Sequence, residues 1–511
     1  MKKKIILVVL DGFGINPTRE GNAVVLANTP TFDKLWHTYP HTLLDASAQA
    51  VGLPAWQIGG SEVGHMHLSS GRIIQSDLAY IDSQIQDGEF FENAVLKRAM
   101  LSARQDNKRV HLLGLLSDGG VHSSIEHLLA LLELAKKLEM KNVFVHCILD
   151  GRDVPPKSAA QSLTALEKKI ESLGVGQIAS VCGRYYSMDR DNRWDRVTKA
   201  LDVLVKGTGR TVNKPSDAIK NAYENGETDE FVIPTVILDD NSQPRAVIEE
   251  GDSLIGFNFR GDRMRQDFNV FLKTNIGQQH YPEFPNIHVC AFMQYADDLK
   301  YPVAFSRKKN KVGFGQYVSE MNMTQLRISE SEKYPHVSFF FNIQSDEMMP
   351  GEERIKIPSP AVSVYNEKPE MSANEVTDAF ITEYQKDIYD FMLVNYANSD
   401  MVGHTGILDA AVKAVETVDL QLKRILENTF DQDTTLVITA DHGNSEEMVS
   451  YLTGEPHTAH TLNCVPFIVA DHHVKPWMRV GGLSNVSPTL LQLMDKPKPS
   501  FMDKDSLIVK M

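Results

Sequence analysis

Ser61 stands in the stretch Gly59-Gly60-Ser61-Glu62-Val63-Gly64-His65, where glycines free the backbone to bend sharply and let a bulky anion approach the hydroxyl. A serine hydroxyl is a weak nucleophile at neutral pH and needs a neighbouring base or a metal ion to hold it as alkoxide. Candidate ligands are spread along the chain: Asp11 in Asp11-Gly12-Phe13-Gly14, then Asp400-Met401-Val402-Gly403-His404, Asp441-His442-Gly443 and His457-Thr458-Ala459-His460. Aspartate oxygen mixed with histidine nitrogen suits manganese, zinc or iron rather than calcium, which prefers oxygen alone. The set therefore points to a two-metal centre activating an alcohol. Taken singly, each stretch has an ordinary alternative: a Gly-Ser or Asp-Gly turn, or an exposed Asp-x-x-x-His helix pair. Their joint occurrence at the ends of expected strands favours the metal reading.

Those strand ends follow from the apolar patterning. Ile5 to Leu10 is an unbroken β-branched and aliphatic run, as in a strand buried on both faces of a parallel sheet, and it stops at Asp11. Sites in open α/β sheets gather at the carboxyl ends of strands. From Arg109 onward strand and helix alternate: Val110 to Leu115, a helix from Ile125 to Leu138, Val143 to Leu149, a helix starting at Ser158 with capping-box spacing to Gln161, and Ile178 to Val181. Short strands are expected at Leu254 to Asn258 and Ile287 to Phe292. After a basic segment, Arg307 to Gly313, strands are expected at His336 to Phe341, Tyr389 to Asn395, Thr435 to Ala440 and Pro466 to Ala470, with an amphipathic helix from Leu408 to Asn428. If the N-terminal strand joins the C-terminal sheet, the middle of the chain is an insertion.

At 511 residues the chain exceeds what one growing core supports, so two domains are expected. A formal charge of −15 argues against a nucleic-acid or anionic-membrane surface, and any anionic substrate must meet a local basic pocket. Four cysteines far apart, without a CxxC pair, read as buried thiols of a reducing compartment. The apolar run that begins at Ile5 is too short for a signal peptide or membrane span, and a cytoplasmic location is expected.

Taken together, Leu10-Asp11-Gly12, Ser61-Glu62-Val63-Gly64-His65, Asp400 with His404, Ala440-Asp441-His442-Gly443-Asn444 and His457-Thr458-Ala459-His460-Thr461 resemble the alkaline phosphatase superfamily. Within it the chain is similar to the cofactor-independent (2,3-bisphosphoglycerate-independent) phosphoglycerate mutases. The similarity extends to the middle of the chain through Ser117 to His122, Gly151-Arg152-Asp153, Gly183-Arg184-Tyr185-Tyr186-Ser187-Met188-Asp189-Arg190 and Phe257-Asn258-Phe259-Arg260-Gly261-Asp262-Arg263.

The resemblance implies an α/β fold: an alkaline-phosphatase-like metal-binding domain, residues 1–75 with 311–511, and an inserted phosphotransferase domain, residues 76–310. It implies a monomer that interconverts 3-phosphoglycerate and 2-phosphoglycerate in glycolysis without bisphosphoglycerate, through a phosphoserine on Ser61. Asp11, Ser61, Asp441 and His442 would hold one Mn2+, and Asp400, His404 and His460 the other, with His457 as second choice for His460 and Mg2+ or Co2+ as alternatives. Lys333 would lie near the metal-bound phosphate, Asp153 would move the proton, His122 would sit beside the transferring phosphate, and Arg152, Arg184, Arg190, Arg260 and Arg263 would grip the substrate. Guanidinium forks match carboxylate and phosphate, and phosphoglycerate offers both. The domains are expected to close over substrate at hinges near residues 75–79 and 307–313. Gly60, Ser124 and Cys464 depart from the family pattern, Gly60 standing where relatives usually carry asparagine. Another phosphomutase or a phosphomonoesterase of the same superfamily is the rival reading.

Overall fold

Every residue from Ile5 to Leu10 is buried, and this strand (Lys4–Leu10) lies in the middle of an eight-stranded sheet. The strand order is Glu352–Ile357, Gln325–Glu330, Phe391–Tyr396, Lys4–Leu10, Thr434–Thr439, Val465–Ala470, His41–Asp45 and Gly481–Gly482. Lys4–Leu10 pairs in parallel with Phe391–Tyr396 on one side and Thr434–Thr439 on the other. Val465–Ala470 runs antiparallel to both of its neighbours. Complete burial of a Leu, Ile or Val side chain contributes about 1.5–3 kcal/mol, so this run anchors the sheet and with it the loop that carries Asp11.

The computed structural model describes residues 3–306, 312–451, 453–473 and 477–509. The chain divides into two compact units, Met1–Ser76 with Lys309–Met511, and Asp77–Lys308. Of the expected hinges, residues 307–311 lie outside the described residues. The second unit has its own seven-stranded sheet, in the order Arg210–Val212, Thr235–Ile237, Gln177–Gly183, Val143–Leu149, Val110–Leu116, Ser253–Gly256 and His288–Ala291. All neighbours in it are parallel except Gln177–Gly183 with Thr235–Ile237. No helix among the described residues is long and apolar enough to cross a membrane.

Three local expectations are corrected. His336–Phe340 is a π-helical turn, not a strand. The strand beside Phe391–Tyr396 is Gln325–Glu330, whose polar residues mask it: Arg327 is fully buried, with its guanidinium 4.2 Å from the centre of the Phe341 ring. The helix Ala159–Leu173 does follow Ser158, but no capping box forms. Asp229 Oδ2 instead accepts the N–H groups of Ser158 (2.7 Å) and Ala159 (2.9 Å). Ser61 lies not in a turn but at the first position of a helix, Ser61–Ser70.

That helix buries His67, whose Nδ1 bonds the Val63 carbonyl (2.7 Å) while Nε2 accepts the Ile74 N–H (3.0 Å). Burial pulls the imidazole down to about 4, with the Val63 carbonyl opposing. Its folded pKa lies below the unfolded value of 6.5, so the unfolded chain binds the extra proton. The contribution is complete above about pH 6.5 and is lost as pH falls toward 4, to about 3 kcal/mol at the acid end. We expect His67→Gln to lose less melting temperature than the parent between pH 7 and pH 4.5. Equal losses would remove His67 from the acid response.

Candidate active site

In the first unit, four neighbouring parallel strands deliver the polar groups from their carboxyl ends. Asp11 follows Lys4–Leu10, Lys333 closes the turn after Gln325–Glu330, Asp400 lies on the short helix Asn398–Gly403 after Phe391–Tyr396, and Asp441-His442 follow Thr434–Thr439. Close approach dictates two glycines here. Gly12 has φ +73°, and a Cβ on it would fall 2.6 Å from the Asp400 Cα; a Cβ on Gly64 would fall 2.6 Å from the Asp441 carbonyl oxygen. The glycine-rich stretch around Ser61 is thus a helix pressed against the Asp441 loop.

Ser61 Oγ donates to Asp11 Oδ1 (3.1 Å), lies 3.0 Å from His442 Nε2 and accepts from Lys333 Nζ (2.7 Å). Lys333 also donates to Asp11 Oδ1 (2.6 Å) and Asp400 Oδ2 (2.5 Å). Burial works against the charges of Asp11 and Asp400, yet the Lys333 ammonium prevails and holds both carboxyls well below the ordinary carboxylate value. Because Ser61 begins its helix, the free N–H groups and positive dipole end of that helix lie beside the hydroxyl, which suits an anionic group there.

Asp400 Oδ1 lies 3.2 Å from His404 Nε2 and 3.1 Å from His460 Nε2, and these two nitrogens are 3.1 Å apart. The far nitrogens face carbonyls: His404 Nδ1 to Thr458 (2.7 Å), His460 Nδ1 to Gly59 (2.9 Å) and His442 Nδ1 to Gly443 (3.2 Å). A carbonyl only accepts, so each Nδ1 carries the proton and each Nε2 presents its lone pair inward, the arrangement of metal-binding imidazoles. Lone pairs aimed at carboxylate oxygens repel unless a proton or a cation lies between them. Burial would lower His442, but the carboxylates of Asp441, Asp400 and Asp11 overcome it and raise the imidazole to about 10. A proton and a divalent cation thus compete for one position, and the donor set fits such a cation.

The structure brings together Asp11, Ser61, Lys333, Asp400, His404, Asp441, His442 and His460. His457 is directed elsewhere, its Nδ1 2.9 Å from the Glu447 carbonyl. A Cβ at Gly60 would lie 3.2 Å from His460 Nδ1, so a side chain at this position would press on a candidate ligand.

Sequence reasoning passed over the groups behind these. Asn395 Nδ2 donates to Asp11 Oδ2 (2.8 Å) and lies 3.1 Å from His65 Nε2, while His65 Nδ1 lies 3.1 Å from Asp441 Oδ2. Asn395 thus occupies Asp11 Oδ2 and leaves Oδ1 to Ser61, whereas Asp441 Oδ1 accepts the N–H groups of Gly12 (3.3 Å) and His442 (3.1 Å), and its Oδ2 faces both His65 and His442 Nε2 (3.7 Å). Asp11, His65 and Asp441 also lie close enough to form a ligand cluster of their own. His65 was findable, since four residues after Ser61 is the same face once that stretch is read as helix.

The second unit gathers its polar residues at strand ends in the same way. Arg184, directly after Gln177–Gly183, is buried, and its Nη1 donates to Asp150 Oδ1 and Asp153 Oδ2, each at 2.6 Å. Asp150 also accepts from Ser117 Oγ (2.6 Å) and from the Asp153 N–H (3.0 Å), which fixes the turn bearing Arg152 and Asp153. His122 Nε2 lies 3.7 Å from Asp153, and its Nδ1 lies 3.6 Å from Asp262. Burial and the Arg184 charge pull His122 down to about 4. Arg190 and Arg260 approach Asp262 at 3.5 and 3.3 Å, Arg152 approaches Glu230 at 3.6 Å, and Arg263 donates to the Met188 carbonyl (3.1 Å). Arg263 is lowered by burial and then by the charges of Arg184, Arg190 and Arg152, the electrostatic mark of guanidinium groups crowded without enough anions. Asp150, Asp262 and Glu230 were not anticipated. For Asp150 the signal was an aspartate two and three residues before bonded N–H groups, an Asx turn.

Comparison with known proteins agrees with both units. Residues 81–297 match the family model described as the BPG-independent PGAM N-terminus, and residues 322–478 match type I phosphodiesterase / nucleotide pyrophosphatase. The 2,3-bisphosphoglycerate-independent phosphoglycerate mutase of Clostridium beijerinckii is 48% identical, with 99% of each chain covered. The enzyme of the same name from Acetivibrio thermocellus is 47% identical, with 100% of each covered. Among solved structures, the Leishmania mexicana phosphoglycerate mutase at low cobalt concentration aligns with a TM-score of 0.63 and 30% identity, covering 100% of this chain and 98% of that one.

Proposed function

Because the chain belongs to the 2,3-bisphosphoglycerate-independent phosphoglycerate mutases, we propose that it interconverts 3-phosphoglycerate and 2-phosphoglycerate through a phosphoserine on Ser61, with two divalent cations and no bisphosphoglycerate. The observation that carries the phosphoserine step is the position of Ser61 Oγ, at a helix N-terminus and within 3.1 Å of Asp11, His442 and Lys333. Asp11, Ser61, Asp441 and His442 would hold one ion, and Asp400, His404 and His460 the other. Mn2+ is the ion proposed, with Mg2+ or Co2+ as substitutes; imidazole and carboxylate donors together suit the transition ions better than Mg2+. When bound, such ions lower the pKa of a coordinated hydroxyl and neutralise phosphoryl charge.

This chain's residues do the rest. Ser61 Oγ attacks phosphorus as the alkoxide and is released as the alkoxide when the phosphoryl group returns; the bond from phosphorus to the glycerate oxygen breaks, and Lys333 and the helix N-terminus stabilise the charge spread over the phosphoryl oxygens. In the second unit, the arginines hold the carboxylate of the glycerate while Asp153 protonates the departing oxygen. Asp153 then takes the proton of the other hydroxyl, which attacks the phosphoserine and restores Ser61, so protons balance over the cycle. His122, kept neutral by burial and by Arg184, can donate a hydrogen bond to phosphate without adding a fixed charge.

The purified protein with Mn2+ is expected to form 2-phosphoglycerate from 3-phosphoglycerate with bisphosphoglycerate omitted, and to stop when chelated. Failure to do so rejects the proposal. Phosphate release from simple phosphate esters faster than mutase turnover would favour a phosphomonoesterase on the same scaffold. We further propose a cytoplasmic monomer; a single mass of 57.2 kDa in light scattering is the expected result.

A further inference from the structure

Glu446 is fully buried four residues beyond His442, and the reaction as derived gives it no part. All four of its neighbours donate to it. Oε2 accepts the backbone N–H groups of Gly14 (3.0 Å) and Asn444 (2.8 Å), and Oε1 accepts Asn463 Nδ2 (3.0 Å) and the Thr461 hydroxyl. These donors come from three segments, one of them 432 residues away in the chain, and each segment carries candidate ligands: the turn after Asp11, Glu446's own turn with Asp441 and His442, and the stretch that follows His460. The segments are also joined directly, by the Ser445 N–H to the Gly12 carbonyl (3.1 Å) and the Thr461 N–H to the Gly443 carbonyl (3.1 Å). The carboxylate fills the space that two glycines leave open. A Cβ on Gly14 would fall 2.2 Å from Glu446 Cδ, and one on Gly443 2.3 Å from Oε1.

We propose that Glu446 is the positioning residue of the metal centre: its carboxylate ties the three ligand-bearing segments together so that the ligands stand at coordination distance before any ion arrives. Three segments ordered beforehand lose less conformational freedom when an ion binds, and that saving appears as metal affinity. Four donors meeting one carboxylate also compensate the cost of burying it. The inference rests on the metal reading of the site but not on the identity of the substrate.

Mn2+ binding to the full chain, measured by titration calorimetry without substrate, tests it. Glu446→Gln keeps the shape but offers one acceptor oxygen in place of two. The Thr461 hydroxyl and the Asn463 amide can reverse to face the new NH2 group, whereas the N–H groups of Gly14 and Asn444 cannot. The expected loss of affinity is about tenfold for Glu446→Gln and about 100-fold for Glu446→Ala. Thr461→Val, which removes one donor to Glu446 from the far side together with the acceptor of the Asn463 N–H (3.2 Å), should weaken Mn2+ binding in the same direction, and it decides the matter if Glu446→Ala does not fold. A residue that merely holds the fold would lower the melting temperature of the chelated protein and leave the affinity of the folded protein unchanged at low temperature. Parent affinity in both Glu446→Gln and Thr461→Val would overturn the inference. If the parent binds Mn2+ and the variants bind it less well, but no 2-phosphoglycerate forms, the inference stands and the mutase reading falls.

Discussion

Turnover of the Ser61→Ala protein falls by about 10⁴-fold or more, equivalent to about 5.5 kcal/mol of barrier, because the atom that receives the phosphoryl group is gone. The fold should survive. Alanine is a good helix former, Ser61 begins its helix, and the groups that lose a partner retain others: Asp11 still accepts from Lys333 and Asn395, and Lys333 still pairs with Asp11 and Asp400. Mn2+ should still bind, since the remaining carboxylates and imidazoles are untouched. Paired measurements of turnover and metal content, with acid-quenched parent protein searched for a phosphorylated peptide containing Ser61, make the check. A variant that turns over as the parent does would end the phosphoserine mechanism.

Asp400→Asn is the second large effect, because this one side chain faces the imidazoles with one oxygen and Lys333 with the other. Oδ1 faces His404 and His460 and accepts Asn444 Nδ2 (3.0 Å), while Oδ2 accepts Lys333. An amide cannot satisfy both sides. With NH2 toward Lys333 two donors collide, and with NH2 toward the imidazoles it covers the lone pairs meant for the ion; either way the charge is lost. Mn2+ affinity is expected to fall at least about 100-fold and turnover about 10³-fold, partly recoverable at high Mn2+. Elemental analysis after dialysis and turnover against Mn2+ concentration would show this, and a variant with the parent's metal content would remove Asp400 from the ligand set.

How much of this was legible depended on whether a segment's neighbours are local. Ile5 to Leu10 is apolar throughout, and Val143 to Leu149 and Thr435 to Ala440 are mostly so, because both faces are buried, so pattern alone placed them to within a residue of the observed strands. Gln325–Glu330 has the same burial with polar alternation, because Arg327 packs against Phe341 and Phe391, residues the local pattern could not supply. The apolar run from His336 to Phe341 could equally be strand or helix, and tertiary packing chose a π-helical turn.

From its sequence alone this chain was committed to an α/β fold with an insertion and to the residue types of its chemistry: a serine, aspartates and histidines at strand ends, and arginines in the inserted part. Only the tertiary structure turned His457 toward the Glu447 carbonyl, placed His65 and Asn395 behind the carboxylates, and revealed Asp150, Asp262 and Glu446. The reason is geometric. Ligand distances hold to tenths of an ångström, and here they are set by loops hundreds of residues apart in the chain. Local pattern fixes where each loop begins, but only their packing fixes which atoms meet.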